Sequence, residues 1–137
     1  MTIQPYLFFD GCCEAAIDFY KQALGAEVTM LLRFSDSPEP HPPGMLPPGS
    51  EHKIMHSSFR IGGTEIMASD GQCAGTVKFE GFSLSISVPD AETAQRRFAA
   101  LADGGQIHQP LIKTFFASSF GVVRDRFNVS WMIVAAS

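Results

Sequence analysis

Hydrophobic and polar positions follow two different periods along the chain, and the order of these periods predicts its elements. A short apolar strand at about residues 6–9 is followed by a helix at about 13–24, where apolar residues recur three and four positions apart. Gly25 stands where such a helix is expected to end. Three further strands are predicted at about 28–34, 53–61 and 64–69, and the glycine pair 62–63 joins the last two as a hairpin.

The same order of elements restarts after residue 80, which indicates an internal repeat. Aligning the two predicted helices places Glu14 on Glu92 and Tyr20 on Phe98. The second set consists of a strand at about 82–88, a helix at about 91–102 and strands at about 106–108, 115–124 and 129–135. The sequence therefore predicts one α+β domain over residues 1–137. Its two β-α-β-β-β modules, at about 1–70 and 81–137, are expected to form an eight-stranded curved mixed sheet with helices on the convex face.

Two segments between the predicted strands are expected to be loops. Residues 35–50 contain six prolines and two glycines, which cannot maintain a helix interior or the hydrogen bonds of a sheet. Residues 70–80 are rich in glycine and polar side chains.

The fifth predicted strand alternates strictly between apolar and polar residues, so its two faces have different surroundings. One face packs against helices and the other is polar. The apolar positions are Phe82, Leu84, Ile86 and Val88, and the polar positions are Ser83, Ser85 and Ser87.

Composition and charge narrow the class of function. Hydrophobic residues make up 45% of the chain and charged residues 18%, a balance that excludes disorder. The formal net charge of −4 provides no basic surface for nucleic acid, so a small-molecule partner is predicted. The chain has neither a signal segment nor an apolar run long enough for a bilayer, so we expect a cytoplasmic protein without a membrane partner. Three cysteines, two of them adjacent, fit a reducing compartment.

Four regions of the chain, in order and at compatible spacing, resemble a known family. They are residues 5–11 with 14–20 and 24–27, residues 56–62 with 66–70, residues 81–84, and residues 120–133. These regions resemble the PhnB-like branch of the vicinal-oxygen-chelate superfamily, which includes glyoxalase and bleomycin-resistance proteins. The resemblance implies a paired β-α-β-β-β fold, a homodimer, and a ligand cavity lined by the concave sheet. The family is also labelled a ubiquinone-pathway methyltransferase, although the chain has no glycine-rich loop between a strand and a helix.

The resemblance also implies where a divalent metal would be held. Glyoxalase-like enzymes place one ligand on each of the first, fourth, fifth and eighth strands. In this chain those positions fall at Gln4 or Pro5, near Met67 or Ser69, at Ser83 and at Met132. Serine hydroxyls and thioethers are poor donors for such ions. We therefore predict no metal cofactor, with a divalent metal as the alternative.

The helix-free side of the sheet is the predicted ligand surface, because in this fold that side lines the cavity. Its small hydroxyls, imidazole, carboxylate and flexible thioethers suit a compact, partly polar molecule. Facing solvent is the competing interpretation for each serine. The predicted ligand-binding residues are His56, Ser58, Glu65, Met67, Ser69, Ser83, Ser85, Ser130 and Met132.

His56 and Glu65 form the candidate catalytic pair, because adjacent antiparallel strands can bring such residues together for acid-base chemistry or for part of a metal site. A structural histidine on a strand is the competing interpretation. Whether any reaction is catalysed stays open.

Other chemically notable residues are assigned structural roles. Trp131 is expected in the core. Cys12 and Cys13 are expected to be buried and unreactive thiols. Asp125 is expected to close a turn. Two roles stay open for Phe115, Phe116 and Phe120, which are expected to line either a cavity wall or a dimer contact.

The leading interpretation is a metal-free small-molecule-binding protein of unknown substrate. One alternative is a metal-dependent lyase, isomerase or dioxygenase that uses His56, Glu65 and a donor from a partner chain. The other is a resistance protein that sequesters a drug-like cation in a groove at the dimer interface.

Overall fold

The computed structural model describes residues 1–39 and 46–136, which fall into two compact units, Met1–Val77 and Lys78–Ser137. Residues 40–45 of the predicted proline-rich loop lie outside the described residues. Phe34–Asp36, at the start of that loop, form one short 3₁₀ turn.

The first unit is a four-stranded sheet with one helix. Its strands follow the order β1-β4-β3-β2, in which β1 is parallel to β4 and the other pairs are antiparallel. The elements are β1 (Tyr6–Phe8), α1 (Cys13–Leu24), β2 (Glu27–Arg33), β3 (Ile54–Ile61) and β4 (Thr64–Ser69).

Helix α1 covers one face of this sheet. It ends at Gly25, whose φ of 69° lies in the left-handed region that glycine adopts without strain. Tyr20 of α1 stacks on Phe59 of β3 with 6.0 Å between ring centroids, and both side chains are fully buried. The face of β3 that carries Phe59 is therefore the core face.

The second unit repeats the arrangement. Its strand order is β5-β8-β7-β6, in which β5 is parallel to β8 and the other pairs are antiparallel. The elements are β5 (Leu84–Val88), α2 (Ala91–Ala102), β6 (Gln106–Ile112), β7 (Ser119–Arg124) and β8 (Ser130–Ala135).

Helix α2 begins at an aspartate cap and packs closely on β7. Asp90 accepts a hydrogen bond from the Thr93 backbone N–H at 2.7 Å. A Cβ at Gly121 would lie only 2.7 Å from the Phe98 ring, so this contact requires glycine. The core face of β7 is therefore the face that carries Gly121.

The α+β class and the two β-α-β-β-β modules are confirmed, with one four-stranded hydrogen-bonded sheet in each unit. Strand β6 is longer than expected because Pro110 lies on an edge strand, where a missing N–H is tolerated. Strand β7 begins later than expected, at Ser119. Before it, residues 114–117 form a turn instead of a strand, because the Thr114 N–H donates a 3.0 Å hydrogen bond to the Ala117 carbonyl oxygen.

Within the described part of the chain, no helix is long and apolar enough to cross a bilayer.

Candidate functional site

The register of the first sheet shows which side chains face away from α1. His56 pairs with Leu32, and Ser58 pairs with Met30 on one side and Met67 on the other. Directly opposed residues point to the same side of a sheet. The core side instead carries buried residues such as Phe59. The parity predicted for the third and fourth strands is thus correct. The helix-free face of the first unit comprises Tyr6, Phe8, Met30, Leu32, His56, Ser58, Arg60, Glu65, Met67 and Ser69.

A tyrosine that the sequence interpretation missed lies beside the candidate histidine. The Tyr6 hydroxyl is 3.1 Å from His56 Nδ1, and the two ring centroids are 5.6 Å apart. The Phe8 ring lies 4.8 Å from the Tyr6 ring on the other side. Only the parallel pairing of Tyr6 with Met67 brings β1 this close, and parallel pairing leaves no local signal in the sequence.

Ser58 is a buried polar side chain of this face without a hydrogen-bond partner among the described residues. It is only 7% exposed, and its Oγ has no hydrogen-bond partner within residues 1–39 and 46–136. The methionines on either side of it supply no strong hydrogen-bonding group. Ser69, which is 2% exposed, differs because its Oγ accepts a 3.1 Å hydrogen bond from the Gly71 backbone N–H.

Glu65 does not join His56, which corrects the expected acid-base pair. Glu65 pairs across the sheet with Arg60, four residues along β3 from His56, a separation of about 13 Å on an extended strand. Its carboxylate accepts a 3.3 Å hydrogen bond from Thr29 Oγ1. The two residues share a face, but the register places them at opposite ends of it.

The second unit brings together two of the predicted serines. Ser83 Oγ and Ser130 Oγ are 2.6 Å apart, although Ser83 lies just before β5 rather than within it. Ser85 is exposed and pairs with Met132 of β8. These four residues lie on the side of the second sheet away from Trp131, which is buried as predicted.

The donors at the expected metal positions do not fit a divalent metal. Ser83 Oγ lies 2.6 Å from the hydroxyl of Ser130, and Met132, whose side chain is a thioether, stands between Ser85 and Val122 in the sheet register. No group of three or more His, Cys, Asp or Glu side chains suited to a metal ion occurs among the residues that the structure describes. Imidazole, carboxylate and thiolate donors are what such ions require.

The amino end of α1 is occupied by a buried carboxylate. Asp70 is 1% exposed and accepts hydrogen bonds from the backbone N–H groups of Gly11, Cys13 and Ile54 at 2.7–2.9 Å. An open cleft of about 410 Å³ adjoins this end. Because these N–H groups already donate to Asp70, they are not available as hydrogen-bond donors to an anion in the cleft.

Both cysteines at the start of α1 are stabilised as neutral thiols. Burial, followed by the negative charge of Asp70, raises the pKa of Cys13 to about 12. The same two causes raise the pKa of Cys12. Cys13 is fully buried as predicted, whereas Cys12 is only half-buried, which corrects the expected burial of that residue.

An exposed aromatic cluster lies in the second unit. The Phe116 ring lies 5.2 Å from that of Phe115 and 5.3 Å from that of Phe120, with edge-to-face geometry in both pairs. Phe115 is 99% exposed. The choice between a cavity wall and a dimer contact stays open.

Comparison with known proteins gives consistent matches along the whole chain. Residues 1–134 match a family described as 3-demethylubiquinone-9 3-methyltransferase. Protein YjdN of Escherichia coli (strain K12) is 39% identical over 140 residues, covering 97% of this chain and 94% of YjdN.

Solved structures agree with these matches. Protein PA1353 from Pseudomonas aeruginosa has a TM-score of 0.85 at 40% identity, covering 99% of this chain and 98% of that one. A putative 3-demethylubiquinone-9 3-methyltransferase, PhnB protein, from Bacillus cereus has a TM-score of 0.80 at 27% identity, covering 99% and 100%. A glyoxalase-related enzyme from Fulvimarina pelagi shares the fold, with a TM-score of 0.60 at 18% identity, covering 98% and 87%.

Proposed function

The chain belongs to the family described as 3-demethylubiquinone-9 3-methyltransferase and is a PhnB-like member of the glyoxalase superfamily, and on this premise we propose that it binds a compact small molecule on its helix-free sheet faces. The residues proposed for the first unit are Tyr6, His56, Ser58, Met67 and Ser69. Those proposed for the second unit are Ser83, Ser85, Ser130 and Met132.

The buried hydroxyl of Ser58 is the observation that carries this proposal. A buried polar group without a partner costs about 1–3 kcal/mol, so natural proteins rarely leave one unless a ligand or a water satisfies it. Ser58 is flanked by thioethers, which adapt their shape to a bound molecule. His56 lies two residues away on the same face and offers a second polar anchor.

The family description names methyl transfer. The connections between strands and helices in this chain do not support that activity. The connection from β1 to α1 contains one glycine, Gly11, and its N–H donates to Asp70. Nucleotide-like cofactors typically bind where a glycine-rich loop presents free N–H groups at the start of a helix. Our proposal is therefore limited to small-molecule binding.

A homodimer and a cytoplasmic location also form part of the proposal. Paired modules of this superfamily commonly complete their cavities across subunits, and the exposed Phe115–Phe116 pair is apolar surface suited to burial in a partner copy. The cytoplasmic location is supported by the odd number of cysteines, all of them free.

A thermal-shift screen against a metabolite library tests this proposal. A molecule that binds the native state raises the melting temperature in a concentration-dependent way. We expect at least one such molecule, with an effect that is lost in Ser58→Ala, which removes the hydroxyl and adds no volume. Ser118→Ala, on the second unit and outside the proposed site, is the matched control. Stabilisation that persists unchanged in Ser58→Ala would place the site elsewhere.

A further inference from the structure

The contact between Tyr6 and His56 favours one of the two neutral tautomers of His56. A phenol hydroxyl is a good donor, whereas its oxygen is a weak acceptor because its lone pair is shared with the ring. The Tyr6 hydroxyl lies 3.1 Å from Nδ1 and has no other hydrogen-bond partner in the described ranges 1–39 and 46–136. Donation from Tyr6 to Nδ1 satisfies both groups, and the proton of neutral His56 then sits on Nε2.

The helix-free face of the first unit therefore presents two donors to a bound molecule. His56 Nε2 has no hydrogen-bond partner among the described residues, and neither has Ser58 Oγ. The two residues are separated by about 7 Å along β3 and point the same way. The Nε2–H group can only donate, and the serine hydroxyl rotates to donate as well. The complementary group on the ligand is an oxygen acceptor.

Charges around these donors favour an uncharged acceptor. Arg60 lies two residues along β3 from Ser58 on the same face, but it stands directly opposite Glu65, so this one cation of the strand is matched by an opposite charge. Near His56, Asp10 Oδ1 and Phe8 Cδ1 each lie 3.2 Å from the Cβ position of Gly71, which places a carboxylate close to the Phe8 ring. An anionic ligand would lose hydration, meet Arg60 beside the Glu65 carboxylate, and meet the Asp10 carboxylate as well.

The surroundings of the donors favour an apolar ligand body. Phe8 is 52% exposed, Met30 is 40% exposed and Leu32 is 37% exposed on the same face. Covering such surface is favourable because it removes apolar area from water. The two donors and these three apolar side chains together suit a mostly apolar molecule with one acceptor oxygen.

We infer that the helix-free face of the first unit binds an uncharged carbonyl compound, whose oxygen accepts hydrogen bonds from His56 Nε2 and Ser58 Oγ. Tyr6 is the positioning residue, because it orients the His56 ring and holds its proton on Nε2. This inference rests on the proposed function and specifies the chemistry of its ligand.

Nitrogen NMR of the free protein tests the role of Tyr6. In ¹⁵N-labelled protein at a pH where His56 is neutral, we expect Nδ1 to show the shift of an unprotonated nitrogen and Nε2 that of a protonated one. Tyr6→Phe should produce a mixture of the two tautomers. Phe8→Leu, which alters the neighbouring ring contact without removing a hydroxyl, should not. A protonated Nδ1 in the wild-type protein would overturn the inference.

Matched small probes test the ligand class. Acetophenone, titrated at millimolar concentration, should shift the amide resonances of His56 and Ser58, and benzoate should bind at least about tenfold more weakly. His56→Ala and Ser58→Ala should each weaken acetophenone binding by about tenfold, the loss of one hydrogen bond.

The outcomes separate this inference from the proposed function. Absence of acetophenone binding, or stronger binding of benzoate, overturns the ligand class. The proposed function stands in either case if the metabolite screen finds another molecule that depends on Ser58. It fails separately if no screened molecule stabilises the protein.

Discussion

Asp125 and Trp131 are joined by a buried hydrogen bond, in which Trp131 Nε1 donates to Asp125 Oδ2 at 2.8 Å. The other carboxylate oxygen accepts from the backbone N–H groups of Phe127 and Val129. One side chain thus closes the turn between β7 and β8, as predicted for Asp125, and also holds the largest core residue of β8.

Removing this carboxylate should destabilise the protein strongly. Asp125→Ala removes the acceptor of three hydrogen bonds, so we expect the free energy of unfolding to fall by about 3 kcal/mol. Urea denaturation followed by the fluorescence of Trp131, the one tryptophan of the chain, measures the loss. Asp90→Ala is the control, because an exposed helix cap costs only about 1 kcal/mol. Equal losses in the two variants would contradict the central role of Asp125.

Cys13 should resist alkylation in the native protein. Its side chain is fully buried and its pKa is raised to about 12, so almost no thiolate exists at neutral pH. In a Cys12→Ser, Cys73→Ser background, mass spectrometry should detect no maleimide adduct at pH 7 until urea unfolds the chain. Labelling as fast as that of a free cysteine would show that α1 opens readily.

The raised pKa of Cys13 also predicts how stability depends on pH. A pKa that is higher in the folded state than in the unfolded state favours folding while the thiol is neutral. The contribution of Cys13 to the free energy of unfolding is therefore complete below its unfolded pKa of 9.0 and is lost as the pH rises towards about 12. Cys13→Ala should flatten this alkaline decline in urea titrations.

The two faces of β5 should respond differently to substitution. Leu84 and Ile86 are half-buried, so truncation to alanine should cost about 1–3 kcal/mol, less than the roughly 2–5 kcal/mol expected for fully buried positions. Ser85→Ala should cost less than about 0.5 kcal/mol because Ser85 is exposed. Ser85→Phe should keep the fold and weaken binding of any molecule found in the screen. Unfolding by Ser85→Ala with silent leucine and isoleucine variants would reverse the assignment of faces.

The purified protein should contain no stoichiometric divalent metal. Ser83 and Met132 stand at expected ligand positions, and neither is a suitable donor. Elemental analysis by mass spectrometry should find well under one zinc, nickel, manganese or iron per chain. About one ion per chain, removable with loss of an activity, would favour the metal-dependent enzyme.

Light scattering at micromolar concentration should report about twice the mass of the chain. The expectation comes from the family and from the exposed Phe115–Phe116 pair. Phe116→Ser should shift the distribution towards monomer if the pair lies in the dimer contact. A monomeric wild-type protein would refute the dimer.

Elements defined by local pattern were predicted well from the sequence. Helix α2 begins and ends where the sequence indicated, because Asp90 caps it and its apolar spacing is regular. The alternation of β5 is present in the structure as half-buried and exposed positions in turn. Such features depend on neighbours a few residues apart, and the sequence displays those neighbours directly.

Relationships set by register were harder to predict. The expected His56–Glu65 pair is wrong because Glu65 lies opposite Arg60, and the hairpin turn alone determines that pairing. Tyr6 reaches His56 only because β1 pairs in parallel with β4. No local pattern predicts the role of Asp70, because its three backbone donors come from segments distant in the sequence.

The parallel pairing of the first and last strands in each unit also constrains the order of folding. Tyr6 is synthesised before its partner Met67, with the helix and the β2–β3 pair of the unit between them. Strand β1 therefore has no partner strand until β4 has been made, and the sheet can be completed only then. The second unit has the same order, since β5 is made before β8. Deleting Ser130–Ala135 should therefore leave β5 without its partner strand and the unit unable to fold.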